Sequence, residues 1–130
     1  WRQRIMGQLP PPDSNRKRGE IKVAKFTTEK QLQQYSKKLA IAHGCDWYKM
    51  ECVGQTGFPD VMVTFQGWII FIELKSPSKK GVLSARQIHM LARLTNQGIE
   101  TYVIDNQRDL DLIISGLIKR QPRPLPDPSI

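Results

Sequence analysis

This sequence is poor in the features that mark secreted, zinc-bound or membrane-spanning proteins. It has two cysteines, Cys45 and Cys52. They flank a predicted strand and could not easily be bridged along it. Neither stands in a C-x-x-C pair, so a zinc site is not expected, and two free thiols fit a reducing, intracellular compartment. Long apolar runs are also missing. The longest is Trp68 to Ile72, far short of the roughly 20 residues a transmembrane helix needs. Trp1 to Pro12 has no apolar segment followed by a cleavage site, so no signal peptide is expected. The first residue is Trp, not Met, so further residues can precede it.

Acidic residues are the other shortage. Asp and Glu total 12 against 20 Lys and Arg, a formal charge of +8 on 130 residues. Such an excess in one small domain points to a polyanionic partner. Charge alone does not separate DNA from RNA or from an anionic surface. Hydrophobic residues make up 39%, enough for a single core.

Residues 1–20 read as a basic N-terminal arm, with Pro10-Pro11-Pro12 followed by Arg16-Lys17-Arg18. Such a segment buries little. It serves either as a solvated tail or as a phosphate-binding arm. A folded domain is expected over 21–120 and a proline-rich tail over 121–130. Within the domain, Thr28 and Gln31 have capping-box spacing and open a helix carrying Leu32, Tyr35 and Leu39 on one stripe. Trp47 to Cys52 and Asp60 to Phe65 read as strands, separated by a loop with two glycines and a proline. Gln66-Gly67 predicts a tight turn into Trp68 to Lys75, a nearly continuous apolar strand expected to be covered on both faces. A second helix starts at Ser84, again with Gln87 at capping-box spacing, and carries Ile88, Leu91 and Leu94. Thr101 to Ile104 is a fourth strand, parallel to the third. A last helix carries Leu110, Ile113, Ile114 and Leu117. The order α-β-β-β-α-β-α predicts an α/β fold, a mixed central sheet flanked by helices.

One constellation in this layout can do chemistry. Glu73 and Lys75 are two apart on a strand and share a face. A hairpin centred on Gln66-Gly67 sets Asp60 opposite Glu73. Two converging carboxylates suit Mg²⁺ or Mn²⁺, hard cations that prefer oxygen, with the Leu74 backbone carbonyl as a further ligand. Lys75 then lies where it could position water or stabilise charge on a phosphate. Taken alone, Glu-x-Lys is commonly a solvated ion pair and Pro59-Asp60 an ordinary turn. Their coincidence with the hairpin register gives the reading its weight.

Three segments in order, Gln55-Thr56-Gly57-Phe58-Pro59-Asp60, Phe71-Ile72-Glu73-Leu74-Lys75-Ser76 and Leu83-Ser84-Ala85-Arg86-Gln87, resemble the virus-type replication-repair nuclease (VRR-NUC) domain, over about residues 28 to 115. That family belongs to the PD-(D/E)xK nuclease superfamily and is similar to Holliday-junction resolvases. The resemblance implies a restriction-endonuclease-like core, Asp60 and Glu73 as metal ligands, and Lys75 as the catalytic lysine. It further implies Gln87 as an active-site polar group, where capping alone is the other reading, and Glu29 as an acidic residue near the metal, where a dipole-favoured helix start is the other. The direction of Glu51 is open. Lys79, Lys80 and Arg86, with Arg16, Lys17 and Arg18, are expected to contact phosphates. His43 and His89 read as incidental, His89 as structural. The implied protein is a Mg²⁺- or Mn²⁺-dependent, structure-selective DNA endonuclease. It is expected to be a homodimer acting on branched DNA, in the cytoplasm of a bacterium or of a phage-infected host. The broad apolar face of the third helix is one candidate dimer surface. The competing readings are a non-catalytic nucleic-acid-binding module, and a related nuclease for flap, duplex or RNA substrates.

Overall fold

A computed structural model describes residues 26–78 and 82–129 of the chain. Its elements are α1 (Glu29–Ala42), β1 (Asp46–Lys49), β2 (Val61–Phe65), β3 (Trp68–Leu74), α2 (Ala85–Asn96), β4 (Thr101–Ile104) and α3 (Gln107–Ile118). They follow the expected α-β-β-β-α-β-α order. The four strands form one sheet in the order β1-β2-β3-β4. The first three are antiparallel and β4 runs parallel to β3. The basic arm and the Lys79-Lys80 pair lie outside the described residues. No described helix is long and apolar enough to cross a membrane, and both cysteines are free thiols.

Local chemistry sets the element ends. Thr28 and Ser84 each cap a helix and complete a capping box with Gln31 and Gln87, satisfying amides that the first turn leaves open. Gly44, at φ 80°, follows the His43 cap of α1. The β2–β3 turn uses Gln66 at φ 48° and Gly67 at φ 89°. Positive φ at both central residues is the type I′ geometry whose twist matches the flanking strands.

Alternation divides the sheet into two faces. One carries Val61, Val63, Ile70, Ile72, Leu74, Tyr102 and Ile104, which form the main core with Leu32 and Ala40 of α1 and Leu110, Ile113, Ile114 and Leu117 of α3. The opposite face carries Phe71, Glu73 and Thr101 and receives α2, whose Leu91 and Leu94 are buried and whose Thr95 hydroxyl meets that of Thr101 at 3.1 Å.

Three expectations need correction. The third strand is not covered on both faces along its length: Ile69, near its start, is 49% exposed. Ile88 is likewise 47% exposed, since the inward direction of α2 is set by Gln87, Leu91 and Leu94. The apolar face of α3 is not available for a dimer, because Leu110, Ile113, Ile114 and Leu117 are already consumed in the core.

The proline-rich tail leaves α3 and returns to the hairpin. The Arg123 amide donates to the Gln66 carbonyl at 2.9 Å. The guanidinium groups of Arg120 and Arg123 lie 4.8 and 4.4 Å from the Trp68 ring centroid, a cation–π arrangement. This contact closes the end of the sheet remote from Asp60 and Glu73.

Because α3 is a core element, Ile114→Ala should destabilise the chain by about 2–5 kcal/mol, read from urea unfolding. A loss under about 0.5 kcal/mol, the usual range for surface substitutions, would contradict the burial of this helix.

Candidate active site

The hairpin register places the carboxylates. Val61 pairs with Ile72 and Met62 with Phe71, so continuation of the ladder by one residue sets Asp60 across from Glu73. The Leu74 amide donates to Asp60 Oδ2 at 3.1 Å, fixing the Asp60 side chain against β3. The peptide that holds the first carboxylate is therefore the one between Glu73 and Lys75. Leu74 acts on Asp60 through its N–H here, whereas the sequence reading used its carbonyl. Lys49, from the edge strand β1, reaches Asp60 Oδ1 at 3.7 Å. The sequence reading missed Lys49: the long loop between β1 and β2 has no two-residue turn to set their register.

Glu73 is 2% exposed, an unusual position for a carboxylate. Its Oε2 accepts from Gln87 Nε2 at 2.8 Å and lies 3.5 Å from Lys75 Nζ. Lys75 Nζ in turn donates to Gln87 Oε1 at 2.7 Å. Gln87 thus joins both charged partners. The same oxygen accepts the Ser84 amide at 2.9 Å to close the capping box. The Gln87 side chain therefore caps α2 and also contacts Glu73 and Lys75.

A close approach of backbone makes this possible. Gly57 sits at φ 88°, and a Cβ there would lie 2.6 Å from the Arg86 carbonyl oxygen. Only glycine lets the loop before Asp60 press on the first turn of α2. Arg86 Nη1 also donates to Thr56 Oγ1 at 2.9 Å, tying helix to loop. On the other side of the site, the Ser76 and Ser78 hydroxyls donate to the Thr27 carbonyl at 3.3 and 3.0 Å, joining the exit of β3 to the start of α1.

Not every candidate converges. Glu29 is exposed at the first position of α1. Among the described residues, no three His, Cys, Asp or Glu side chains are grouped to hold a metal ion. Glu51, His43 and His89 are exposed, which removes the structural reading of His89. Arg86 makes its hydrogen bond to Thr56 and none to either carboxylate among the described residues. Arg16, Lys17, Arg18, Lys79 and Lys80 lie outside the described residues.

The electrostatics of Glu73 bear on what the centre can hold. Burial, and then the charge of Asp60, push its carboxyl from 4.5 up to about 8, against the opposing pull of Lys75. Its Oε1 is buried and has no hydrogen-bond partner among the described residues. A buried orphan oxygen is costly, and two carboxylates this close repel when both are charged. A hard divalent cation would relieve both penalties, so the donor set fits Mg²⁺ or Mn²⁺.

The sign of the pH effect follows. Between about pH 4.5 and 8 the folded chain holds a proton on Glu73 that the unfolded chain releases. That stabilisation is complete below 4.5 and is lost as pH rises through 8. In EDTA, Tm should therefore fall between pH 5 and pH 9, and Glu73→Gln should flatten the fall. Added Mn²⁺ should restore stability mainly at the alkaline end. An unchanged pH profile in Glu73→Gln would show that Glu73 is not the group responsible.

Comparison with known proteins finds no matching family profile and no matching curated protein. Among solved structures, the chain is similar to one described as a VRR_NUC domain, with 25% sequence identity and a TM-score of 0.61, over 68% of this chain and 96% of that one. The sheet, the three helices and their order agree with that likeness. The protein has a VRR-NUC-like nuclease-domain fold, a mixed four-stranded sheet between helices with Asp60, Glu73 and Lys75 gathered at one end.

Proposed function

We propose that the chain is a divalent-cation-dependent DNA endonuclease that hydrolyses phosphodiester bonds at Asp60, Glu73 and Lys75. The observation that carries this reading is the buried Glu73 carboxylate, with Oε1 unpartnered among the described residues, facing Asp60 beside a lysine. A surface ion pair would not need burial. A carboxylate held where its own charge is penalised is typical of a functional site. The net charge of +8 supports a polyanionic substrate.

Asp60 and Glu73 would hold Mg²⁺ or Mn²⁺, which, when bound, supplies polarisation of the reacting phosphate and neutralisation of its charge. The remaining work falls to the chain's own groups. Lys75, 84% buried at its side chain, is held by Gln87 and Glu73 with its ammonium at the mouth of the pair. There it can orient an attacking water and balance negative charge growing on a phosphate oxygen. Gln87 is a positioning residue that locks Lys75 and Glu73 by one hydrogen bond each. The Leu74 amide keeps Asp60 from turning away. Arg86, with the basic residues at 16–18 and 79–80, would supply sequence-independent phosphate contacts.

The finer reading, a homodimer acting on four-way junctions, rests on resemblance alone. A two-fold dimer would present two sites to a junction with two strands to cut. Since α3 is buried in the core, the dimer surface must lie elsewhere.

Asp60→Ala, Glu73→Ala and Lys75→Ala should each lower kcat by at least about 100-fold, while junction binding at fixed salt stays within a few-fold. Cleavage by any of the three at the wild-type rate would place the centre elsewhere. Light scattering should give a dimer, and cleavage should favour four-way junctions over flap, linear duplex and RNA. A monomer cutting flap or linear DNA as fast as junctions would defeat the substrate reading and leave the nuclease reading intact.

A further inference from the structure

Beside the carboxylate pair lies a second feature that the nuclease motifs do not use. Residues 54–56 and the first turns of α2 line an open cleft of about 360 Å³, with Gln55, Thr56, Arg86, His89 and Met90 in its walls. Two constraints fix its walls. The Gly57 backbone is pressed onto the Arg86 carbonyl, where a Cβ would sit at 2.6 Å. The Arg86 guanidinium is anchored to the Thr56 hydroxyl at 2.9 Å. Arg86 is exposed, and no carboxylate pairs with it among the described residues, whereas Arg108 and Arg120 each have one. A cleft thus presents an anchored cation with no carboxylate partner among the described residues, an exposed imidazole three residues along the helix, and a thioether beside it.

We propose that this cleft is a nucleotide subsite, holding the nucleotide of the substrate strand next to the bond that is cut; the proposal rests on the nuclease reading above. Position supports it. Arg86 and Gln87 are consecutive on α2, and Gln87 reaches Glu73 at 2.8 Å while Arg86 faces the cleft. On the opposite wall, Thr56 precedes Asp60 by four residues on the same loop. The cleft and the surroundings of the carboxylate pair therefore draw on the same two segments, the loop that leads to Asp60 and the first turns of α2, and a strand with its phosphate at Asp60 and Glu73 would run on toward this cleft. Arg86 meets the neighbouring phosphate with the charge-assisted bonds that guanidinium forms best. The His89 ring and Met90 give the base a flat, apolar contact, and stacking on a ring tolerates any base. Gln55 offers an amide to the base edge. The site is thus sequence-tolerant, with its affinity divided between one phosphate and one stacked base.

The test separates the cleft from the chemistry. A 5′-phosphorylated trideoxynucleotide is titrated into the full chain in EDTA, and the His89 imidazole protons are followed by NMR. They should shift saturably. Arg86→Gln and His89→Ala, both at exposed positions, should each weaken binding about tenfold, and His89→Phe should retain it because the ring is kept. With Mn²⁺ and a DNA substrate, Arg86→Gln and His89→Ala should raise KM about tenfold and leave kcat within about twofold. Still His89 signals while the Gln87 side-chain amide responds to the oligonucleotide would overturn the subsite, as would a wild-type KM in both variants. A wild-type chain that cuts no nucleic acid would instead sink the nuclease reading, and the titration in EDTA would still decide whether the cleft binds a nucleotide.

Discussion

The site depends on the register of one hairpin. Gln66 and Gly67 turn the chain in two residues, both at positive φ, and a two-residue turn leaves no freedom in the pairing that follows. From Phe65 opposite Trp68 to Val61 opposite Ile72, the ladder counts back to Asp60 beside Glu73. A slip of one residue would turn Glu73 and Lys75 toward the α1–α3 core and expose Ile70, Ile72 and Leu74. The hydrophobic core therefore enforces the register that the chemistry needs. The tail adds to this, since Arg123 bonds the Gln66 carbonyl and covers the Trp68 ring.

Glu73 shows how a charged group is kept in a folded domain at a cost. One of its oxygens is shared between Gln87 and Lys75, and the other has no partner among the described residues. Such an arrangement lowers stability relative to a satisfied or apolar residue. The surrounding structure limits the damage by making the network rigid. Gln87 comes from a helix whose first turn is fixed by the Ser84 box, and that helix is seated against a loop that only glycine at position 57 allows so close. Helix start, loop and strand end meet at one point, each holding a different member of the network.

Much of this was legible in the residues themselves. Both capping boxes, the turn at Gln66-Gly67, the order of the seven elements and the pairing of Asp60 with Glu73 follow from local rules: side chains that satisfy nearby amides, a glycine that accepts positive φ, and alternation by two along a strand. The facing carboxylates were legible because a short turn converts sequence distance into spatial position with nothing left to choose.

Whatever depends on which face an element presents emerged only in the packed fold. Leu110, Ile113, Ile114 and Leu117 make an apolar stripe in the sequence, but only packing showed that α1 and the sheet use all of it. Glu29 sits three residues before Leu32, yet its position on the first turn leaves it in solvent. Lys49 meets Asp60 through a β1–β2 register that no tight turn announces, and His89 turns outward beside Arg86. The elements, their caps and the one hairpin register could be read from the residues, because those are set by contacts within a few positions. The partners of Glu73, the burial of α3 and the cleft along α2 needed the whole fold, because they join residues that are distant in the chain and near only once the sheet has closed.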